Sequence, residues 1–193
     1  MSEPAPGPGV RVRRAEAGDI GVIAALLNDQ ILHGRAHFGV APEPESVVLG
    51  QWRAGQERFP WLVAEDAGGR FLGFARAGTW KAREAYDWTV EAGIYIEPHA
   101  RGTGVGKALY ARLFALLRAQ GFVVVLAGVT VPNEASERLH ESVGMVNAGE
   151  FAPAGYKLGK WMAVRYYHLV LREMGPDADP GALRGVSEVW GTV

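Results

Sequence analysis

Cysteine is missing altogether from the 193 residues. Its absence removes disulfide staples, thiolate metal sites and a cysteine nucleophile that would carry an acyl group as a thioester. An excess of charge of either sign is missing too: 20 Lys and Arg stand against 21 Asp and Glu, a formal net charge of −1. A surface that grips nucleic acid by its phosphates needs clustered cations, so nucleic acid is not an expected partner, although one local anion site remains open. Long apolar runs are absent as well. The longest, Phe122 to Val131, is about half of a membrane span. The N-terminus lacks the basic-then-apolar order of a secretion signal, and the expected location is the cytoplasm. His33, His37, His99 and His168 show no metal-ligand spacing, so no metal is expected.

What is present is ordinary for a globular chain: 48% hydrophobic residues with 21% charged, enough for one domain with a real core. The Pro- and Gly-rich residues 1–9 read as a flexible leader, 10–172 as the folded domain and 173–193, again full of Gly and Pro, as a C-terminal tail. Val10 and Val12 alternate as in a short strand. Asp19 is a plausible N-cap before the helical stripe Ile20, Ile23, Leu27 and Ile31. Residues 46–57 read as a second helix. Strands at 61–65 and 71–77 are joined by the turn-forming Asp66-Ala67-Gly68-Gly69, and a third strand spans 88–96. A Leu-rich helix over 107–120, a buried strand over 122–129, a helix over 133–143 and a last strand over 164–171 complete the order β-α-α-β-β-β-α-β-α-β. The expected class is mixed α/β, strands alternating with helices in the second half.

The most informative stretch is Arg101-Gly102-Thr103-Gly104-Val105-Gly106-Lys107, between a strand and a helix N-terminus. Free backbone N–H groups and the positive end of the helix dipole converge there, and glycines let phosphate oxygens come close. The loop suits a pyrophosphate. Its spacing lacks the third glycine of the Rossmann fingerprint, and the P-loop pattern fails at Arg101 and at Ala108, where a magnesium-binding hydroxyl would stand. A glycine-rich turn without a ligand is the alternative.

Arg101-x-x-Gly104-x-Gly106 after Ile94-Tyr95-Ile96, with Asn133, Ser136 and Leu139-His140-Glu141 downstream, resembles the acetyl-CoA motif of the GNAT superfamily of N-acetyltransferases. Three further blocks are similar to the phosphinothricin N-acetyltransferase group: Arg58 to Glu65, Trp80 to Glu91 and Gly155-Tyr156-Lys157-x-Gly159-x-Trp161. The likeness covers about residues 10–171.

The resemblance implies a mostly antiparallel central sheet with helices on both faces, in which two central parallel strands part around coenzyme A. It puts the backbone of Ile94, Tyr95 and Ile96 along the pantetheine arm, with Asn133 and Ser136 nearby, and Arg101, Gly102, Thr103, Gly104, Val105, Gly106 and Lys107 at the pyrophosphate. Ile94 and Ile96 are equally core residues, since backbone binds while side chains pack. Transfer to nitrogen needs a neutral amine, whereas an α-amine with a pKa of about 7.7 to 8 is mostly protonated at neutral pH. Glu91 matches the family position of the general base; an edge-strand glutamate is the plainer reading. His140 matches the group's candidate for protonating the departing thiolate, with a structural role in the helix layer as the alternative. Phe38, Lys81, Arg83, Tyr86, Lys157 and Trp161 are the implied acceptor pocket, the cations suiting a carboxylate or phosphinate; Lys81 and Arg83 also read as solvated loop charges. His33 to Val40 departs from the group's pattern at the acceptor, which leaves the acceptor amino acid open. The expected function is acetyl transfer from acetyl-CoA to a small amino-acid-like amine, in a homodimer. A non-catalytic acyl-CoA sensor and a protein N-terminal acetyltransferase are the competing readings.

Overall fold

The computed structural model describes residues 9–193; the leader expected at 1–9 lies, Gly9 apart, outside the described residues. The chain runs through β1 (Arg11–Arg14), α1 (Ile20–Leu32), α2 (Glu45–Gly55), β2 (Trp61–Glu65), β3 (Phe71–Thr79) and β4 (Thr89–Ile96). It continues through α3 (Val105–Gln120), β5 (Val124–Val131), α4 (Glu134–Ser142), β6 (Val146–Lys157), β7 (Lys160–Val170) and a last turn of helix, α5 (Val186–Val189). One seven-stranded sheet has the order β1-β2-β3-β4-β5-β7-β6. Every pairing is antiparallel except β4 with β5. This is the mixed, mostly antiparallel sheet that was expected.

Strand alternation sorts the side chains into two layers. On one face, Leu62, Ala64, Ala75, Ala77, Val90 and Ala92 meet the apolar stripe of α3, where Leu109, Leu113, Leu116 and Leu117 are fully buried. Burying each such leucine contributes about 1.5–3 kcal/mol, and the alanines opposite let the helix lie close. On the other face, Trp61, Val63 and Phe74 pack against α1 and α2 through Ile20, Ile23, Leu27, Val48 and Trp52.

Two local expectations are corrected, and one element not foreseen is added. Asp19 does not cap α1 with its side chain; its carboxylate accepts from the Glu16 N–H at 2.7 Å and pairs with the Arg13 guanidinium, which also binds Glu65. β6 lies in a stretch to which the sequence alone assigns no element, because its Gly, Ala and Pro content and exposed face carry no alternation; pairing with β7, interrupted by two register shifts, makes it a strand. The stretch 173–193, expected as a tail beyond the domain, folds back on it. Val186 and Val189 are fully buried, the Val186 N–H donates to the Glu57 carbonyl, and Gln120 Nε2 donates to the carbonyls of both Arg58 and Arg184.

Candidate active site

The site begins where the sheet stops being a sheet. β4 and β5 pair only through Thr89–Val124, Val90–Val125 and Glu91–Leu126, although both strands run on for five more residues. Beyond Glu91 and Leu126 the facing backbone edges part, and their N–H and C=O groups need partners that the sheet does not supply. An extended ligand with amides of its own meets that need. A narrow channel of about 50 Å³ runs here, lined by Ile94, Tyr95, Tyr110, Val129, Asn133, Ser136 and His140 among others. Ile94 and Ile96 pack their side chains on the core, while their backbone belongs to the stretch of β4 that no longer pairs with β5.

β4 ends at Ile96, shortly before the loop at 101–104, which is exposed. Gly104 is the residue before α3 and has φ 92°, a left-handed conformation that glycine adopts without a Cβ clash. No side chain caps α3, so its first N–H groups face outward at the positive end of a 16-residue helix, with Lys107 exposed beside them. Thr103 Oγ1 donates to the Ala100 carbonyl and Arg101 Nε to that of Ile96, bracing the loop. Gly106 has a reason of its own: a Cβ there would sit 2.8 Å from Leu139, so the missing side chain serves the packing of α4 on α3.

His140 is buried in α4 with both ring nitrogens engaged. Nδ1 lies 2.7 Å from the Ser136 carbonyl, which can only accept, so Nδ1 carries the proton; Nε2, 2.8 Å from the Tyr110 hydroxyl, accepts from it. Burial pushes the imidazole pKa down, only partly opposed by the Ser136 carbonyl, and the ring is neutral at neutral pH. Asn133 caps α4, its Oδ1 accepting from the Ser136 N–H.

Across the sheet, on the α1–α2 side, lies a cleft of about 1310 Å³. Glu91, the last paired residue before the fork, lines it together with Phe38, Lys81, Tyr95, Arg76 and Tyr166. Burial pushes the Glu91 carboxyl up, and Arg76 pulls it partly back. Ala36, Ala92, Gly93, Tyr95, Gly128 and Thr130 line both cleft and channel, so the two meet at the fork.

The expected acceptor residues divide. Phe38 lies against Gly155 as one wall, and Lys81 stands over the rings of Trp80 and Tyr86. Arg83, Tyr86, Lys157 and Trp161 do not line the cleft. Lys157 is buried, at 5% exposure, with Nζ donating to the carbonyls of Gln30, Gly34 and His37; it ties down the 30–37 segment and has no donor left for a ligand. Trp161 is 66% exposed and packs on Tyr156 at the β6–β7 hairpin. Arg76, Trp61, Gln51, His37 and Tyr166 line the cleft without having been singled out from sequence. Arg76 did carry a signal, as the lone charge in the apolar run Phe71 to Gly78.

A forked parallel pair, a bare helix end offered to phosphates and a carboxylate at the crotch together define a transferase that works on a phosphate-tailed acyl carrier. The chain belongs to the acetyltransferase (GNAT) family, whose model matches residues 25–145. It is an acetyl-CoA-dependent N-acetyltransferase. A phosphinothricin N-acetyltransferase of Streptomyces viridochromogenes is 37% identical over 93% of this chain and 96% of its own length. An L-methionine sulfoximine/L-methionine sulfone acetyltransferase of Salmonella typhimurium is 32% identical, covering 86% of this chain and 98% of its own. The crystal structure of a phosphinothricin acetyltransferase from Sinorhizobium meliloti in complex with acetyl-CoA superposes with a TM-score of 0.83 at 30% identity, over 90% of this chain and 94% of that one. Among the described residues no group of three His, Asp or Glu is placed to hold a metal, and no helix is long and apolar enough to cross a membrane.

Proposed function

We propose that the acceptor is a small amino acid whose α-amine enters the cleft on the α1–α2 side and loses its proton to Glu91. The observation that carries this reading is the position of Glu91 at the fork, where cleft and channel share their lining. Acetyl-CoA, when bound, supplies the activated acyl group. The N-terminal amides of α3, with Gly102, Gly104 and Lys107, hold its diphosphate, and the parted edges of β4 and β5 bracket the pantetheine arm beside Asn133 and Ser136. A proton taken by Glu91 leaves nitrogen free to attack, a contribution of typically about 10²- to 10⁴-fold. On the channel side His140 is neutral, with Nδ1–H donating to the Ser136 carbonyl and Nε2 accepting from the Tyr110 hydroxyl, which favours its role in joining α4 to α3 over direct proton delivery to the departing thiolate.

The names of the relatives support amino acids bearing a phosphinate, sulfone or sulfoximine. Phe38 and Tyr166 supply apolar walls, and Lys81 stands between two rings at one side. The reading includes a homodimer in the cytoplasm. Phe151, Tyr156, Leu158 and Trp161, all more than half exposed along the β6–β7 hairpin, are the apolar surface we assign to the partner chain. The test is a panel of phosphinothricin, methionine sulfone, methionine sulfoximine and the common L-amino acids with acetyl-CoA, following free thiol. Thiol release that needs both acetyl-CoA and one of these amines is expected. Release with peptide N-termini alone, or with no amine at all, would sink the reading.

A further inference from the structure

The cleft holds one guanidinium that the protein leaves without a counter-charge. Arg76, half-buried on β3, has its guanidinium carbon over the Trp61 ring, 4.7 Å from the centroid, and donates one hydrogen bond, to Gln51 Oε1 at 3.3 Å. Among the described residues no carboxylate comes within ion-pair distance of it. The other cations near the cleft are differently placed. Lys157 is consumed by three backbone carbonyls, Arg83 is exposed away from the cleft, and Lys81 sits between two aromatic rings on an exposed segment. A half-buried guanidinium with unbonded N–H groups beside an aromatic ring is open to an anion in the cleft, and its planar fork matches a carboxylate.

Strand register fixes what that anion faces. Arg76 pairs with Gly93 and Gly78 with Glu91, so Arg76 and Glu91 project from the same face at diagonal positions, about 7–8 Å apart along the sheet. Gly78 and Gly93 leave the space between them without side chains. An α-amino acid carries its positive and negative groups on one carbon, and the cleft offers a carboxylate and a guanidinium to meet them. Within electrostatic reach of Arg76 lie Glu91, Tyr95 and His37. His37 is held neutral by burial first and by the charge of Arg76 second, its Nδ1 accepting from the Gly39 N–H; it does not compete for the anion.

We propose that Arg76 is a specificity-determining residue that grips the α-carboxylate of the acceptor, swinging its amine toward Glu91. The inference rests on the reading that the acceptor is an amino acid. The test uses the L-amino acid of the panel that wild type turns over fastest, together with its decarboxylated amine, at saturating acetyl-CoA. R76Q should raise KM for the acid by about 10- to 100-fold and leave KM for acetyl-CoA unchanged. It should lose most of wild type's preference for the acid over the decarboxylated amine. R76K, which keeps the charge without the fork, should recover part of the loss. An R76Q enzyme that keeps the full preference for the acid overturns the proposal while leaving the amino-acid reading intact. A wild type that prefers the decarboxylated amine overturns it as well. A wild type that acetylates no amino acid at all removes the reading and the proposal together.

Discussion

Glu91 shows how one carboxylate becomes a base through its surroundings. Burial on the cleft side raises its proton affinity and brings it nearer to that of the amine it serves, and the charge of Arg76 opposes part of the rise. E91Q should therefore lower kcat by about 10²- to 10⁴-fold with KM for acetyl-CoA unchanged, as read by thiol release. In wild type the acid limb of kcat/KM, where activity falls as Glu91 takes up its proton, should lie above the ordinary carboxylate range. Lys157 is the opposite case, a charge turned inward. K157M leaves three carbonyls without their shared donor and should destabilise the fold by roughly 1–3 kcal/mol, measured by urea unfolding. It should also raise KM for the amine through the loosened 30–37 segment. The places of Glu91 on a strand and His140 on a helix were legible because motif and neighbouring blocks fix their positions. Lys157 was misread because an isolated lysine in a sequence gives no sign of which carbonyls it will meet, 120 or more residues away in the chain.

At the scale of elements, the device is a helix whose N-terminus is left bare at the foot of two parting strands. Gly104 holds the turn that makes this geometry, and its φ of 92° is the constraint. G104V should cost about 1–3 kcal/mol in backbone strain and abolish measurable coenzyme A binding in calorimetry, by tilting the first amides away from their common focus. An unaltered affinity would count against the loop as the diphosphate site. The 101–107 loop was readable because glycine spacing is local chemistry. The amphipathic stripes of α1 and α3 were readable because period 3.6 survives in sequence. β6 was not, since its conformation is imposed by β7 across the hairpin, and no alternation records an outward-facing edge strand. The parting of β4 and β5 came only from family likeness. Nothing in VEAGIYI or VLAGVTV, read alone, says where their pairing ends.

At the scale of the whole molecule, the C-terminal residues close the far end of α3. Val189 is fully buried against the core, and Arg112 lies over the Trp190 ring at 4.7 Å. V189D should cost about 3 kcal/mol and lower Tm by roughly 6–12 °C, checked by scanning calorimetry. A change under two degrees would mean that the segment contributes little to the fold. Its glycines and prolines disguise this in the sequence, because composition reports the loop around α5 and passes over the two valines that anchor it.

Three residue pairs are all that zip β4 to β5, so the sheet is two half-sheets joined by a short hinge. Each half is well laced within itself, and breathing should concentrate at that join. A ligand threaded into it acts as a splint. At 100 times its Kd, coenzyme A should add about 2.7 kcal/mol to global stability. Amide hydrogen exchange should slow most along the two facing edges beyond the fork, while amides of the outer strand β1 that exchange by local opening should change least. In that sense the enzyme is completed mechanically, as well as chemically, by what it binds.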